Sequence, residues 1–280
     1  MSAEPLPTAA ASTEEHVAVC LLDGAGRVLH ERDTDRPFYA ASTIKLHVLL
    51  AALQAAQGGA LDLDAKVPAT RGFVGADGRP FILGGDHLDP THPAEGAPIA
   101  VRELLVRMID RSSNEATDHT VALLGGGVGA PPEQGLAAVA GTIARLGLTA
   151  TRVERLIGDA SAITAGATNE TSARDLARTV HALAGDPDLL GDAARTLALD
   201  ALRAQRIRVI TTVLRDGVDA GSKTGWVEGY RHDVAVIGEA GSPERRVLAV
   251  LTSGLPQDEA DARIVAAARE LLPPAVLAPA

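Results

Sequence analysis

The stretch Ala41-Ser42-Thr43-Ile44-Lys45-Leu46-His47-Val48-Leu49-Leu50 decides how the rest of the chain is interpreted. A serine and a lysine three positions apart begin an apolar run, which predicts a buried helix with both side chains on one face of its first turn. A serine hydroxyl needs a base to take its proton, and a lysine amine in an apolar site can be that base. The simpler interpretation is a serine that caps the helix beside a surface lysine.

Two further features favour the chemical interpretation of this stretch. Among 26 basic residues only Lys45, Lys66 and Lys223 are lysines, so the chain retains few of them. Lys223 begins the sequence Lys223-Thr224-Gly225, and Ser112-Ser113-Asn114 lies between the two lysine motifs in chain order. The three short motifs in this order favour an active centre at Ser42, although each alone is weak evidence.

Composition sets the broad class of the protein. A chain of 280 residues with 46% hydrophobic and 22% charged residues can bury a sizeable core, in one large domain or two interleaved ones. The net charge of -10 argues against a nucleic-acid or an anionic-membrane partner. The single cysteine, Cys20, lies in an apolar run and is expected in a buried strand.

The chain as given has no signal-peptide pattern and no run long enough to cross a bilayer. These features predict a cytoplasmic protein, or a secreted one if the chain was shortened at its start. A monomer is expected because no sustained heptad pattern is visible.

The elements are predicted from periodicity and from turn and cap residues. Strands are expected at both ends of the chain, at residues 16–22, 27–31, 222–224, 233–237 and 246–252. Helices are expected between them and at the end, at residues 42–57, 101–108, 114–124, 136–146, 172–183, 192–214 and 258–272. Residues 62–98 are rich in Gly, Pro and Asp and are expected to form loops. One sheet built from both termini, with a helical segment inserted, follows from this order.

Ser42-x-x-Lys45, Ser112-x-Asn114 and Lys223-Thr224-Gly225 resemble the motifs of serine β-lactamases and penicillin-binding proteins, most closely those of class A β-lactamases. The resemblance covers nearly the whole chain. It implies an α/β (α+β) fold of the β-lactamase/transpeptidase type, in which helices flank an antiparallel five-stranded sheet and an all-α lobe is inserted. The implied domains are an N-terminal tail at 1–15 and a catalytic domain at 16–280. Its α/β lobe would span about 16–57 and 215–280, and its helical lobe about 58–214.

The resemblance also implies roles for the catalytic residues. Ser42 would be the acylated nucleophile and Lys45 its proton acceptor, directly or through water. Ser112 would relay a proton to the leaving nitrogen. Lys223 would attract a substrate carboxylate and lower the Lys45 pKa by like-charge repulsion.

The implied substrate-binding residues lie in the second and third motifs and shortly after the third. Asn114 would hydrogen-bond the substrate amide, and Thr224 would add a hydroxyl to the carboxylate. Gly225 completes the strand motif, and the backbone N–H of Trp226 would form an oxyanion hole with that of Ser42. Arg231 resembles an arginine that some members use to bind the substrate carboxylate, although a surface arginine at a turn is the simpler interpretation.

The loop that carries the deacylating glutamate in class A enzymes departs from the family pattern. Ile157 stands at the position of that glutamate, and Ser161 replaces the asparagine that helps to hold the water. Glu154 or Asp159 could take the role if the loop register shifts, and His232 is another candidate base. Deacylation is therefore expected to be slow or to use a non-standard base.

The expected function is a serine hydrolase of the class A β-lactamase type that attacks an amide or ester carbonyl. Its substrate would be a small molecule with a carboxylate and an amide or ester, and no cofactor or metal is expected. The alternatives are a cytoplasmic esterase, amidase or acyltransferase of the same fold, and a receptor-like module that binds penicillin without turnover.

Two other kinds of site fit the sequence less well. Residues 217–224 resemble a phosphate-binding loop but lack the glycine before the lysine. His87, Asp89, His92 and Glu95 could ligate a metal, but their spacing matches no familiar site.

Overall fold

The computed structural model describes residues 12–85 and 88–279 and is built around one antiparallel five-stranded sheet. The sheet order is β10-β11-β12-β1-β2, so the two N-terminal strands join the last three strands of the chain. Its strands are β1 (His16–Asp23), β2 (Val28–Arg32), β10 (Ala220–Val227), β11 (Tyr230–Ile237) and β12 (Arg246–Ser253). The predicted fold class and the predicted sheet of both termini are confirmed.

The interior strand β1, between β12 and β2, is buried on both of its faces. Ala18, Cys20 and Leu22 join the core on one side of the sheet, and Val19 and Leu21 join the core on the other. Side chains alternate across a strand, so a near-continuous apolar run is what a doubly covered strand requires. Cys20 is buried as expected.

Most helices of the described chain come, in sequence order, after the two N-terminal sheet strands and before the three C-terminal ones. They are α1 (Lys45–Gln57), α2 (Val101–Asp110), α3 (Asn114–Leu124), α4 (Glu133–Arg145), α5 (Ala160–Thr164), α6 (Ala173–Gly185), α7 (Asp192–Arg203) and α8 (Gln257–Leu271). The single helix predicted at 192–214 is wrong, because α7 ends at Arg203 and a separate 3-10 turn follows at Ile210–Val213. An apolar pattern that resumes after a break of six residues resembles one continuous amphipathic helix.

Helix α1 is enclosed by other helices rather than laid on the sheet. It contacts α2, α3, α4, α6 and α7, and its residues from Lys45 to Leu53 are all buried. A helix that is apolar around its whole circumference must be surrounded in this way. On the opposite side of the sheet, α8 contacts β1, β11 and β12. The lobe boundaries given above stay a prediction.

The stretch predicted as loops at 62–98 contains short paired strands. The remaining strands of the described chain are β3 (Phe38–Tyr39), β4 (Lys66–Pro68), β5 (Gly72–Val74), β6 (Pro80–Ile82), β7 (Pro98–Ala100), β8 (Arg152–Val153) and β9 (Asn169–Thr171). β5 pairs with β6, and Phe73 lies opposite Phe81 in that hairpin. Three-residue strands leave too little alternation for the sequence to reveal them. Residues 1–11 of the predicted tail lie outside the described residues.

Helices α3 and α4 approach so closely that only a glycine fits at position 135. A Cβ atom built on Gly135 would lie 2.0 Å from the Val121 backbone oxygen and 2.9 Å from its Cγ1. Overpacking of this kind costs about 1–3 kcal/mol of stability. We expect Gly135→Ala to lower the melting temperature by several degrees, measured by thermal unfolding.

Gly141→Ala in the same helix is the matched control. Its Cβ would meet nothing nearer than Arg145 Nη1 at 3.8 Å, and alanine is the better helix former by about 1 kcal/mol. This variant should unfold at an unchanged or higher temperature. Equal losses in both variants would show that close packing of α3 on α4 is not the cause.

Candidate active site

Ser42 lies in a 3-10 turn, Ala41–Ile44, that leads directly into α1. Neither the turn nor the helix has a side-chain cap, so Ser42 is not a helix cap. Its Oγ lies 3.0 Å from the Nζ of Lys45, the first residue of α1. The spacing of three residues on a helical turn thus brings the two groups together, as predicted.

The Lys45 amine is held by two groups that can only accept hydrogen bonds. Lys45 Nζ donates to the Ser112 backbone oxygen and to Asn114 Oδ1, both at 2.7 Å. The Ser42 and Ser112 hydroxyls each lie 3.0 Å away. A neutral amine has two N–H groups and one lone pair, so the two acceptors occupy its hydrogens. The lone pair is then available to a serine hydroxyl, which is the arrangement a general base needs.

The surroundings of Lys45 favour this neutral form. The side chain is fully buried, and its loss of hydration is the largest cause of a pKa well below the ordinary lysine value. The positive charge of Lys223 lowers the pKa further, while Asp118 and Glu115 raise it. Lys45 is therefore suited to be uncharged and to accept a proton.

Lys223 stands on the central part of the edge strand β10 and faces the same cluster. It donates to the Thr224 backbone oxygen at 2.6 Å and to Ser112 Oγ at 3.1 Å. Burial lowers the pKa of Lys223 to about 7; Arg231 also lowers it, and Asp233 opposes the shift. The Ser112 hydroxyl thus connects the two buried lysines, and it can pass a proton between them and a bound substrate.

Backbone strain marks both of the segments that meet at Lys45. Ala41 has φ 46° and Ser112 has φ 59°, in the left-handed region that non-glycine residues seldom occupy. Such conformations persist only where the surrounding structure holds them, and they concentrate at functional sites. The next residue, Ser113, caps α3 by accepting a hydrogen bond from the Ala116 N–H at 3.2 Å.

Gly225 allows β10 to touch the turn that carries Ser42. A Cβ at this position would lie 3.0 Å from the Ala40 backbone oxygen and 3.0 Å from Thr43 Cγ2. The close approach also brings the adjoining Trp226, whose side chain is 40% exposed, beside the Ser42 turn. The Thr224 hydroxyl donates to the Ile207 backbone oxygen at 3.3 Å.

Arg231, the remaining predicted site residue, is held in an ion pair next to the cluster, and its charge acts on Lys223. Its Nε lies 2.6 Å from Oδ1 of Asp261 on α8. Arg231 lies opposite Trp226 in the pairing of β10 with β11, so the two side chains share one face of the sheet. The buried guanidinium is thus engaged in an ion pair with α8.

Ile157 lies in the loop before α5, and its side chain packs against the main core. Its backbone N–H donates to Asp118 Oδ1 at 2.9 Å. Neither acidic neighbour in the loop is directed at the lysine cluster. Glu154 accepts from the Thr168 N–H at 3.0 Å, and Asp159 caps α5 and accepts from the Ala76 N–H at 2.8 Å.

His232 is also committed to structural hydrogen bonds. Its Nε2 lies 2.8 Å from the Tyr39 backbone oxygen, and its Nδ1 accepts from the Thr252 N–H at 3.3 Å. Burial lowers its pKa to about 4. These contacts argue against His232 as the base that the loop does not provide.

Two buried acids near the cluster were missed by sequence reasoning. Glu115 and Asp118 follow Asn114 on α3, and both act electrostatically on Lys45. The available signal was helical spacing, because Asp118 is four residues after Asn114 and so shares its face of the helix.

An open cleft lies beside Ser112. It encloses about 230 Å³ and is lined by Leu88, Asp89, Thr91, Arg111, Ser112 and Arg206, among others. A small molecule can thus approach the cluster from this side.

The described residues contain no group of three or more His, Cys, Asp or Glu side chains placed to hold a metal ion. His87, one of the residues considered above as a metal ligand, lies outside the described residues. Over the same part of the chain, no helix is long and apolar enough to cross a membrane.

Comparison with known structures shows that the fold is shared. A beta-lactamase from Sphaerobacter thermophilus is 25% identical over 94% of each chain, with a TM-score of 0.71. An ancestral class A beta-lactamase is 25% identical and covers 92% of this chain and 93% of its own, with a TM-score of 0.72. A beta lactamase from Xanthomonas campestris pv. campestris, 23% identical over 92% of both chains, has the same fold at a TM-score of 0.73.

Sequence comparison gives the family. No curated protein sequence matches the chain. A model of the beta-lactamase enzyme family matches residues 5–273, which is nearly the whole length. The chain therefore belongs to the beta-lactamase enzyme family and is a serine hydrolase of the class A β-lactamase type.

Proposed function

We propose that the protein attacks the carbonyl of a β-lactam, or of a related amide or ester, through an acyl-enzyme on Ser42. The observation that carries this proposal is the position of Lys45 Nζ, 3.0 Å from Ser42 Oγ and held by two obligate acceptors. This geometry supplies a nucleophile with a base already in contact.

In the acylation step, Ser42 Oγ forms a bond to the substrate carbonyl carbon while its proton passes to Lys45. The carbonyl oxygen becomes an oxyanion, which the backbone N–H groups of Ser42 and Trp226 would stabilise. The carbon–nitrogen or carbon–oxygen bond then breaks. Ser112, 3.0 Å from Lys45 Nζ, would deliver the proton to the leaving atom.

Substrate recognition follows from the same cluster. A protonated Lys223 would attract a carboxylate, with the Thr224 hydroxyl and the cleft residue Arg206 as additional donors. Asn114 would hydrogen-bond the substrate amide. The partner is thus a small anionic molecule, and the net charge of -10 supports no nucleic-acid or anionic-membrane role. A monomer suffices for this chemistry.

Release of the acyl group is the step that the loop glutamate assists in class A enzymes, and the loop of this chain has Ile157 at that position. Ile157 cannot accept a proton, and its side chain packs against the core. Deacylation is therefore slow or uses a base from outside the loop. This departure also favours a second candidate function, a receptor-like module that is acylated by penicillin without turnover.

The nucleophile is tested by intact-protein mass spectrometry after addition of a penicillin. Wild-type protein should gain the mass of one penicillin, whereas Ser42→Ala should gain none, because the attacking oxygen is removed. Ser242→Ala, in the turn between β11 and β12, is the matched control and should be acylated like the wild type. An adduct on Ser42→Ala would exclude Ser42 as the nucleophile.

The two lysines predict the pH dependence of acylation. Lys45 acts as the neutral amine, so kcat/KM should rise with pH through its lowered pKa and level off well below pH 10.5. Lys223 acts as the cation, so binding of a carboxylate substrate should weaken as pH rises above about 7. Stopped-flow acylation across this range measures both limbs.

A neutral ester without a carboxylate separates the two lysines in this experiment. Its kcat/KM should still rise with pH as Lys45 loses its proton. It should not fall above about pH 7, because a substrate without a carboxylate does not depend on the charge of Lys223. The same alkaline decline for both substrates would argue against carboxylate binding by Lys223.

A further inference from the structure

Asp118 is a buried acid that the acylation steps above do not use. It lies on α3, one helical turn beyond Asn114, whose Oδ1 holds the Lys45 amine. The residue is 1% exposed. Residues four apart share a helix face, so Asp118 and Asn114 point to the same side of α3.

The two carboxyl oxygens of Asp118 have different surroundings. Oδ1 accepts the Ile157 backbone N–H at 2.9 Å, so the carboxyl group lies directly against the loop position where the glutamate is missing. Oδ2 is buried and has no hydrogen-bond partner among the described residues. A buried oxygen without a partner is costly, and such atoms in folded proteins call for a functional or structural reason.

Holding the Ile157 backbone N–H does not by itself explain why an acid stands at position 118. Asparagine has nearly the same shape and would accept the Ile157 N–H equally well, without the cost of burying an ionisable group. Burial raises the pKa of Asp118 well above its ordinary value, and Asp159 adds to the shift. The hydrogen bond from the Ile157 N–H and the charge of Arg155 oppose it and favour the carboxylate. The acid therefore costs stability that an amide would not.

The other acids on α3 and in the loop are occupied. Both oxygens of Glu115 lie within 3.2 Å of the Asp89 backbone nitrogen, and one also accepts from the Ser113 hydroxyl at 3.1 Å. Glu154 and Asp159 accept backbone N–H groups, as described above. Among these acids, Asp118 is the one with an unpartnered oxygen, and it lies on α3 against the loop.

We propose that Asp118 is the base that accepts the proton of the deacylating water, in place of the carboxylate that the loop lacks. The inference rests on the proposed function, because it requires an acyl group on Ser42. The water approaches the acyl carbon from the loop side, where Ile157 and Asp118 meet.

The step balances as an ordinary ester hydrolysis. The water oxygen bonds to the acyl carbon while one of its protons passes to Asp118 Oδ2, which converts the carboxylate to the acid. The tetrahedral oxyanion then collapses and breaks the bond from carbon to Ser42 Oγ. The proton returns to Ser42 Oγ, through the Lys45 amine, and the product leaves as a carboxylic acid.

Asp118→Asn tests the proposal because it keeps the acceptor for the Ile157 N–H and removes the base. The variant is mixed with a chromogenic cephalosporin, and adduct mass and turnover are followed together. We expect acylation within about twofold of wild type and release slowed by roughly 100-fold or more, the usual contribution of a general base. Its melting temperature should be unchanged or higher.

A second pair of variants separates a chemical role from a structural one. In the Asp118→Asn background, Ile157→Glu places a carboxylate in the loop and should restore release, whereas Ile157→Gln, of similar size, should not. A structural role for Asp118 predicts that the glutamine and glutamate variants behave alike.

Several results would overturn the proposal. Release from Asp118→Asn at the wild-type rate would exclude Asp118 as the base, and so would a folded variant that loses acylation as well. A wild-type adduct that never releases would show that no deacylating base operates. If wild-type protein forms no adduct at all, the proposed function itself fails, which a trapped adduct distinguishes from failure of the base alone.

Discussion

The site depends on a buried amine, because Lys45 must be fully enclosed and yet remain uncharged beside Ser42. Burial alone disfavours the ammonium form, and Lys223 adds like-charge repulsion. The backbone oxygen of Ser112 and the side chain of Asn114 then fix which way the amine points. Helix α1, α3 and strand β10 are the three elements that create these conditions, and each comes from a distant part of the chain.

A site of this kind lowers the free energy of unfolding of the protein that contains it. Two lysines are fully buried, Asp233 is a buried acid whose pKa burial raises to about 7, and Ala41 and Ser112 are held at positive φ. Each of these features costs free energy relative to an apolar or unstrained residue. The compensation comes from helix α1, which is enclosed by helices, and from a sheet covered on both faces. A strained and partly polar centre within a well-packed core is common in enzymes.

Much of the fold and part of the site could be predicted from the sequence. Apolar runs, turn residues and cap residues predicted the five sheet strands and most of the helices, and spacing within one helical turn predicted the contact between Ser42 and Lys45. The sequence motifs also predicted the meeting of Lys45, Ser112, Asn114 and Lys223. These features are local, or are repeated over enough residues to be recognised.

Other features depend on contacts that a sequence does not display. Arg231 was assigned to the site by resemblance, and the sequence did not reveal its ion-pair partner, Asp261 on α8. The hairpin of Phe73 and Phe81 is too short to leave a pattern. Asp118 had the right helical spacing, but the sequence did not reveal its contact with the Ile157 N–H, which approaches from a loop 39 positions away.

The most direct test of the account is the protonation state of the two buried lysines. Because the chain has only Lys45, Lys66 and Lys223, protein with isotope-labelled lysine gives three side-chain NMR signals. The signal of the exposed Lys66, assigned with Lys66→Arg, serves as an internal reference. The account predicts that the Lys223 signal titrates at about 7 and the Lys45 signal well below the ordinary lysine value of 10.5. Titration of both buried lysines at the ordinary value would contradict it, because Lys45 would then be a cation beside Ser42 and could not take its proton.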